Sequence, residues 1–404
     1  MIDEVEYQKP IQSKNVLEIL KPFANKFLMS AQVQKPMSQI RKELRIKLYR
    51  CLIDPNILRE LSKPNDFQGF KMALGHLGLW LLTGSLSFYF AIEQFWLGFL
   101  LAIFLHGTVG TFFSAPHHEL CHGTVFKTKQ LNEIFLKIFS TLGTQNFLIY
   151  KMSHSYHHRF TLHPIADKEV ALPKTPSLRV LYLLQLFTFN ITGGFESRGL
   201  IPTMRGLFWV AADKMEQPYN EWGAELYAKF PEERLKAVYW ARYLIAVHLS
   251  FALFTVLIGY PILILIVALH PFIGNWLRYF VGSPMHCGLR SDVSDFRKCV
   301  RTITLDPILE FLYWHMNWHL KHHMFAAVPC YNLKKLYEAV AEDMPKPRTL
   351  ISSWKEMLEV VKQQKTDPAY EFDTPVPPQR TRKEKKQQLE LEASIGDLAP
   401  TAIA

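Results

Sequence analysis

Residues 72–113 decide the fold, and they read MALGHLGLWLLTGSLSFYFAIEQFWLGFLLAIFLHGTVGTFF. Residues 72–92 contain no Asp, Glu, Lys or Arg, and residues 95–113 form a second apolar run after the short turn at Glu93 and Gln94. Each run is long enough to cross a bilayer, since about 20 apolar residues in a helix span the hydrocarbon core. The stretch therefore predicts a helical hairpin that crosses a membrane and returns.

A second pair of apolar runs, residues 238–258 and 261–281, flanks the tight turn at Gly259 and Tyr260 and predicts a second hairpin. Arg242 and Arg278 lie near the ends of these runs, and we expect their side chains to snorkel to lipid headgroups. Lys and Arg are dense in the segments outside the hairpins and absent from both short turns, which indicates that those segments face the cytosol. The predicted fold is an all-α membrane protein with four transmembrane helices in two hairpins and a cytosolic helical cap.

Composition agrees with a membrane protein. Nearly half of the residues are hydrophobic, and the formal net charge of +10 suits contact with an anionic leaflet. No basic patch interleaved with aromatic residues lies in a nucleic-acid-binding module, so we expect no nucleic-acid partner. The five cysteines form no C-x-x-C pair, which favours a reducing, cytosol-facing environment over a disulfide framework. Residues 1–20 contain no apolar core of a signal peptide, so no cleavable signal is expected.

Charge and hydropathy divide the chain into three parts. Residues 1–68 form a cytosolic amphipathic region, with helical spacing at residues 17–29 and 37–48. Residues 69–345 form the membrane domain with its cytosolic cap. Residues 346–404 contain a C-terminal helix and then a basic tail, for which we predict disorder from residue 365 onward.

Histidines recur at the spacing of metal ligands in three boxes, HELCH at residues 118–122, HSYHH at residues 154–158 and HLKHH at residues 319–323. Residues three and four apart share one face of a helix, so the imidazoles of each box converge. The predicted topology places all three boxes and His286 on one membrane face. The candidate metal ligands are His118, His122, His154, His157, His158, His286, His319, His322 and His323. A zinc site takes about four ligands, so this number fits two metal ions better than one, and iron suits oxygen chemistry.

Four further residues near the boxes are candidates for supporting roles. His315 precedes the third box. It either hydrogen-bonds a metal ligand without binding the metal itself or faces the substrate. Asn317 is placed to orient a ligand. Asp167 and Glu169 follow the second box; they either hold imidazole N–H groups or are solvated charges of a loop.

The boxes, extended in the third case to NWHLKHHMF at residues 317–325, resemble those of the integral-membrane fatty acid desaturase and hydroxylase superfamily. The resemblance implies a non-haem di-iron centre that activates O2 and abstracts hydrogen from an unactivated C–H bond. It also implies that His286, near the end of the fourth span, completes the ligand set. Residues 285–289 and 311–333 are similar to the bacterial branch of dihydrorhizobitoxine desaturase-like proteins, which acts on a small molecule. Where the acyl-CoA branch carries an Asn one turn before that histidine, this chain has Gly282.

The resemblance predicts an O2-dependent oxidoreductase that introduces a C=C bond into a fatty acyl lipid or a small amphipathic metabolite. A membrane hydroxylase with the same di-iron centre is the alternative, because both reactions begin with hydrogen abstraction. The chain contains no H-P-G-G haem motif and no Gly-rich nucleotide fingerprint after a strand, so electrons are expected from a separate ferredoxin or cytochrome b5-type donor.

The sequence argues against two other classes of function. A zinc transporter or sensor needs ionisable residues near the membrane midplane. The histidines inside the predicted spans form no cluster in the sequence: His76, His106, His248 and His270. A catalytically silent, lipid-binding scaffold would not need complete sets of ligands.

Overall fold

The computed structural model describes residues 36–170, 175–194, 199–215 and 221–379. The chain is mostly helical. Its helices are α1 (Met37–Glu43), α2 (Pro55–Leu61), α3 (Asp66–Ile92), α4 (Trp96–Thr111), α5 (Ser114–Cys121), α6 (Lys129–Leu142), α7 (Phe147–Phe160), α8 (Val180–Leu186), α9 (Leu200–Ala211), α10 (Glu221–Tyr227), α11 (Pro231–Leu257), α12 (Trp276–Gly282), α13 (Phe296–Cys299), α14 (Pro307–Leu312), α15 (His319–Met324), α16 (Leu333–Val340) and α17 (Leu350–Gln363). Two short strands are β1 (Ile303–Thr304) and β2 (Arg348–Thr349).

Helices α3 and α4 form the first hairpin. The Asn65 side chain accepts a hydrogen bond from the Gln68 amide and caps α3, which therefore begins before the apolar run. The chain reverses after α3 at Gln94, which adopts a φ of 54°. A ring nitrogen of His76 lies 3.2 Å from the Val109 carbonyl oxygen, so this histidine joins the two helices.

Three helical segments are long and apolar enough to cross a membrane, namely Asp66–Ile92, Trp96–Cys121 and Pro231–Leu257. The second of these contains α4 and continues into α5. Large apolar side chains cover the outer faces of the three segments, including Leu81, Leu82, Leu97, Leu100, Leu101, Leu253 and Leu257. Exposed leucines in such continuous rows suit a lipid environment better than water.

The predicted fourth span, residues 261–281, is not one continuous helix. A π turn (Ile264–Ala268) and a 3-10 turn (His270–Phe272) precede α12. Pro271 lacks the amide hydrogen that a continuing helix needs. Gly274 adopts a φ of 60°, and a Cβ there would lie 2.8 Å from Thr108 Oγ1. The part of the chain that the structure describes thus contains three helices of membrane-spanning length and a broken fourth segment.

The C-terminal helix belongs to the same packed unit as the predicted cap. Strand β1 pairs in parallel with β2, which is a small correction to the all-α prediction. Beyond β2, Trp354 Nε1 donates to the Phe280 carbonyl at 2.8 Å, and Arg301 pairs with Glu356 at 2.6 Å. The domain boundary predicted at residue 345 therefore cuts through packed structure.

Residues 365–379 also lie against the cap, so the prediction of disorder from residue 365 is wrong for this segment. The Phe372 amide donates to the Gly288 carbonyl at 2.7 Å, and Ser291 Oγ donates to Glu371 at 2.5 Å. Two predicted segments, the helix at residues 17–29 and the basic run at residues 380–386, lie outside the described residues.

Candidate metal centre

Three helices and one loop carry the nine candidate ligands to one place. Helix α5 carries the first box and ends at its last histidine, while α7 and α15 carry the second and third boxes. His286 follows the 3-10 turn Ser283–Met285. Neighbouring rings contact one another, as in the 4.2 Å between the ring centroids of His118 and His154.

The nine imidazoles form two groups, within each of which the ligand atoms lie within 4.8 Å of one another. The first group contains His118, His122, His154, His158 and His322, and the second contains His157, His286, His319 and His323. Each H-x-x-H-H box divides: its first and last histidines join one group, and the histidine between them joins the other. Successive residues of a helix point about 100° apart around its axis, so His157 and His158 face different groups.

The Nδ1 atoms of several rings face protein groups on the outside of the centre. Three of these partners are oxygens that accept hydrogen bonds: Asp167 Oδ2 at 2.8 Å from His157, the Cys299 carbonyl at 3.0 Å from His286, and the Glu169 carboxylate at 3.1 Å from His154. A carboxylate or carbonyl cannot donate, so Nδ1 carries the hydrogen in these rings. Their Nε2 atoms therefore carry a lone pair.

The Nε2 atoms face inward and lie against one another. The separations are 2.8 Å for His118 and His322, 2.9 Å for His154 and His158, 3.0 Å for His286 and His319, and 3.1 Å for His319 and His323. His122 Nε2 is buried with no hydrogen-bond partner in the described ranges. In His154, His157 and His286, whose Nδ1 carries the hydrogen, Nε2 offers a lone pair that a metal cation can bind. The donor set therefore fits metal ions that take neutral imidazole.

Burial keeps these imidazoles in the form that binds metals. It lowers the pKa well below the ordinary histidine value for His122, His158, His322 and His323, and the neighbouring imidazoles lower it further. A protonated imidazole has no free lone pair, so metal binding requires the neutral ring.

Two residues at the centre were missed in the sequence analysis. Glu119 is 1% exposed, and its Oε1 lies 3.5 Å from His322 Nδ1. The Tyr150 hydroxyl lies 2.7 Å from His118 Nδ1 and 3.3 Å from His154 Nδ1. A signal for Tyr150 exists, because it precedes His154 by four residues on the same helix face. Glu119 lies inside the first box, but the spacing of the histidines gives no signal for a role of this carboxylate.

His315 and Asn317 lie outside both groups. His315 Nδ1 is 3.7 Å from Glu310 Oε1, and Asn317 Nδ2 donates to that oxygen at 3.2 Å and to the Ile303 carbonyl at 3.1 Å. Burial opposes ionisation of Glu310, but the nearby His315 ring and the hydrogen bonds from Trp318 and Asn317 outweigh it and lower its pKa to about 2. The Asn317 amide thus contacts Glu310 and the Ile303 carbonyl, and its role in orienting a ligand stays a prediction.

The histidines of the apolar segments form no further metal group among the residues described. His106 Nε2 lies 2.8 Å from the Ile266 carbonyl, and His248 Nε2 lies 3.0 Å from the Thr141 carbonyl. The remaining set of potential ligands, His154, His157 and Glu169, overlaps the two groups. The midplane site that a zinc transporter needs has no counterpart in the described part of the chain.

A cavity of about 730 Å³ adjoins both histidine groups. Its wall includes His118 of the first group and His157 and His286 of the second. Arg278, which we expected to snorkel to lipid headgroups, lines this cavity instead, and its Nε donates to Ser114 Oγ at 2.8 Å. The cavity is large enough for a small molecule beside the centre.

Comparison with known proteins identifies the family. The model of the fatty acid desaturase family matches residues 94–354, which is more than half of the chain and includes all nine candidate ligands. None of the curated proteins compared with the chain matches it. The family is membrane-associated and acts on lipids, in agreement with the three long apolar helices. The chain belongs to the fatty acid desaturase family.

Proposed function

We propose that the chain is an O2-dependent di-iron oxidoreductase that converts a saturated C–C bond of its substrate into a C=C bond. The observation that carries the proposal is the pair of histidine groups, whose ring nitrogens converge beside a cavity. Family membership supports an oxidoreductase of the desaturase or hydroxylase type. Imidazole nitrogen is a ligand that iron accepts, and nine imidazoles are enough for two ions.

Each histidine group would hold one ion, the first with His118, His122, His154, His158 and His322, and the second with His157, His286, His319 and His323. When bound, the two iron ions supply the redox chemistry by which O2 oxidises a C–H bond. The protein orients the ligands: Asp167 and the Cys299 carbonyl hold two rings through Nδ1. Such outer contacts fix the tautomer and increase the basicity of the metal-binding nitrogen.

The reaction needs electrons from outside the chain. In balanced form, R–CH2–CH2–R′, O2, two electrons and two protons give R–CH=CH–R′ and two water molecules. A ferredoxin or a cytochrome b5-type protein would supply the electrons. The substrate would be a fatty acyl lipid or a small amphipathic metabolite. Hydroxylation would leave one oxygen atom of O2 in the product, so mass spectrometry after a reaction in labelled O2 separates the two reactions.

The membrane topology is part of the proposal. The chain would be a multi-pass protein with its termini and the metal centre on the cytosolic side, because the turns at Gln94 and Gly259 carry no Lys or Arg. A basic surface formed by Arg41, Lys42, Arg45, Lys47 and Arg159 would face the same side. A cysteine placed at Gln94 should react with an impermeant thiol reagent on intact cells, and one at residue 365 only after permeabilisation. The reverse pattern would contradict this orientation.

Metal analysis of the purified protein and of His322→Ala tests the function. Wild-type protein should contain about two iron ions per chain, and His322→Ala should lose iron and all activity because its ring is fully buried among the ligands of the first group. His163→Gln is the matched control, since the His163 ring contacts Asp292 at 3.1 Å and none of the nine ligands. Full activity of His322→Ala with normal iron would overturn the assignment.

A further inference from the structure

The cavity beside the metal centre has a mixed lining of polar and apolar side chains. Its volume of about 730 Å³ lies in the ordinary range for small-molecule sites, which is roughly 300–1,000 Å³. Hydroxyl and amide side chains contribute to its wall, among them Thr111, Ser114, Gln145, Asn146, Ser153 and Ser283. Small-molecule sites are typically apolar with a few polar groups that orient the ligand. The polar side chains of this wall can therefore orient a polar group of an occupant.

Arg278 is a half-buried cation of this wall that makes no ion pair within the described part of the chain. Its side chain is half-buried, and Nε donates to Ser114 Oγ at 2.8 Å while the guanidinium carbon lies 5.4 Å from the centre of the Tyr313 ring. These contacts hold the plane of the guanidinium group. Among the described residues, no carboxylate lies within 4.0 Å of it, and Nη1 and Nη2 make no hydrogen bond. A half-buried guanidinium in this position attracts an anion.

Gly282 leaves the space that the Arg278 side chain occupies. It lies one helical turn after Arg278 in α12, and a Cβ at this position would overlap Arg278 Nη1. Gly282 is the last residue of this helix. Any side chain at position 282 would displace Nη1 of the guanidinium group from its present place.

The contact with Ser114 also sets the distance from the guanidinium group to the metal centre. Ser114 and His118 lie four residues apart on α5, so their Cβ atoms are about 5–6 Å apart. An anion held by Nη1 and Nη2 would therefore lie about one helical turn from a ligand of the first group. The other charged side chains of the wall act differently: Glu169 contacts His154, and Lys168 is exposed.

We propose that Arg278 binds the carboxylate of the substrate, which makes the substrate a free acid whose reacting C–H bond lies a few bonds from its carboxyl group. The planar fork of Nη1 and Nη2 matches the two oxygens of a carboxylate, and Ser114 and Gly282 hold that fork in place. A thioester or a phospholipid acyl chain carries no carboxylate to place there. This inference rests on the proposed function, because it assigns the substrate class of the same centre.

Direct binding measurements test the proposal without any turnover. Isothermal titration calorimetry on the detergent-solubilised full chain would compare octanoate, methyl octanoate and octyl phosphate as probes. The variants are Arg278→Gln and Gly282→Ala, and the control is Gly78→Ala, since a Cβ at Gly78 meets no atom within 4 Å and Gly78 lies on the exposed face of α3. Gly282→Ala moves only the far end of a flexible side chain, so it tests the position of the charge while the helix is kept.

Octanoate should bind wild-type protein and Gly78→Ala equally, and at least tenfold more weakly to Arg278→Gln and Gly282→Ala. Methyl octanoate should bind wild type at least tenfold more weakly than octanoate. Equal binding of acid and ester, or unchanged octanoate binding by both variants, would overturn the proposal. Tighter binding of octyl phosphate than of octanoate would overturn the carboxylate assignment in favour of a phosphate group. Iron analysis of the same samples is independent, so a chain that binds octanoate through Arg278 but holds no iron refutes the proposed function and leaves the anion site standing.

Discussion

The two histidine groups differ in how firmly the protein holds their rings. Every ring of the second group is buried, and three of the four have Nδ1 partners at 2.8–3.0 Å: Asp167 for His157, the Cys299 carbonyl for His286 and Thr161 for His323. In the first group, Nδ1 of His118 and His154 contacts Tyr150 and Glu169, but His122 and His158 are partly exposed and His158 Nδ1 has no hydrogen-bond partner among the described residues. The second group is thus preorganised for metal, while the first depends more on the metal for its order.

The division of the second box predicts the largest contrast, between His157→Ala and His158→Ala. The two residues are adjacent on α7, yet His157→Ala leaves three imidazoles in the second group and His158→Ala leaves four in the first. Since four ligands complete a metal site and His158 is partly exposed whereas His322 of the same group is fully buried, His157→Ala should lose about half of the bound iron and all activity, and His158→Ala should retain more iron than either His157→Ala or His322→Ala. Metal quantification and turnover measure both. Greater iron loss in His158→Ala would show that the boxes do not divide in this way.

Removal of outer contacts should have the next largest effect, and it should again be larger for the second group. Asp167→Asn weakens a 2.8 Å hydrogen bond to His157 and should reduce activity or iron affinity by about 10–100-fold. Glu119→Gln alters a 3.5 Å contact with His322, which is too long for a strong hydrogen bond, and should cost less than about tenfold. Iron titrations of the two variants provide the comparison. An equal or larger loss in Glu119→Gln would reverse the ranking of the groups.

Removal of iron by a chelator should proceed in two phases. The first-group ion should leave faster, because its ligands His122 and His158 are partly exposed and His158 Nδ1 has no hydrogen-bond partner among the described residues. We expect rates that differ by about tenfold or more, in line with the usual effect of outer contacts on metal affinity. Stopped samples analysed for remaining iron would show the phases. A single phase that removes both ions together would indicate that the groups are equally held.

The smallest effect is expected at His315, which lies outside both groups beside Glu310. His315 has a φ of 56°, a conformation that asparagine also tolerates, so His315→Asn keeps the backbone unstrained. Iron content should stay normal, activity should stay within about twofold, and the free energy of unfolding should change by less than about 0.5 kcal/mol. Loss of iron in this variant would place His315 at the centre after all.

The proximity of the histidines within each box could be predicted from the sequence, because residues three and four apart lie on the same face of a single helix. The spacing shows that the histidines of one box converge. It does not show that each box divides between two groups, since that depends on how α5, α7 and α15 pack. Glu119 and Tyr150 join the centre for the same reason: their partners, His322 and His118, come from other elements.

The first hairpin could also be predicted, because two long apolar runs joined by a short polar turn are compatible with few structures other than a helical hairpin. The fourth segment shows the limit of hydropathy, which counts apolar residues and does not register a break. Pro271 lacks an amide hydrogen and Gly274 adopts a positive φ, so the helix is interrupted at these residues. Together they turn the chain so that Arg278 lines the cavity. An arginine at the end of an apolar run is commonly a snorkelling residue. Only the path of the backbone distinguishes this one.

The central claim is that the two histidine groups hold two iron ions. The most direct measurement is the metal content per chain of wild-type protein purified under mild conditions, quantified together with His157→Ala. The account predicts about two iron ions per wild-type chain and about one in the variant, in keeping with one ion for each group. A wild-type chain that purifies with zinc, or that takes up no iron when iron is supplied, would contradict it.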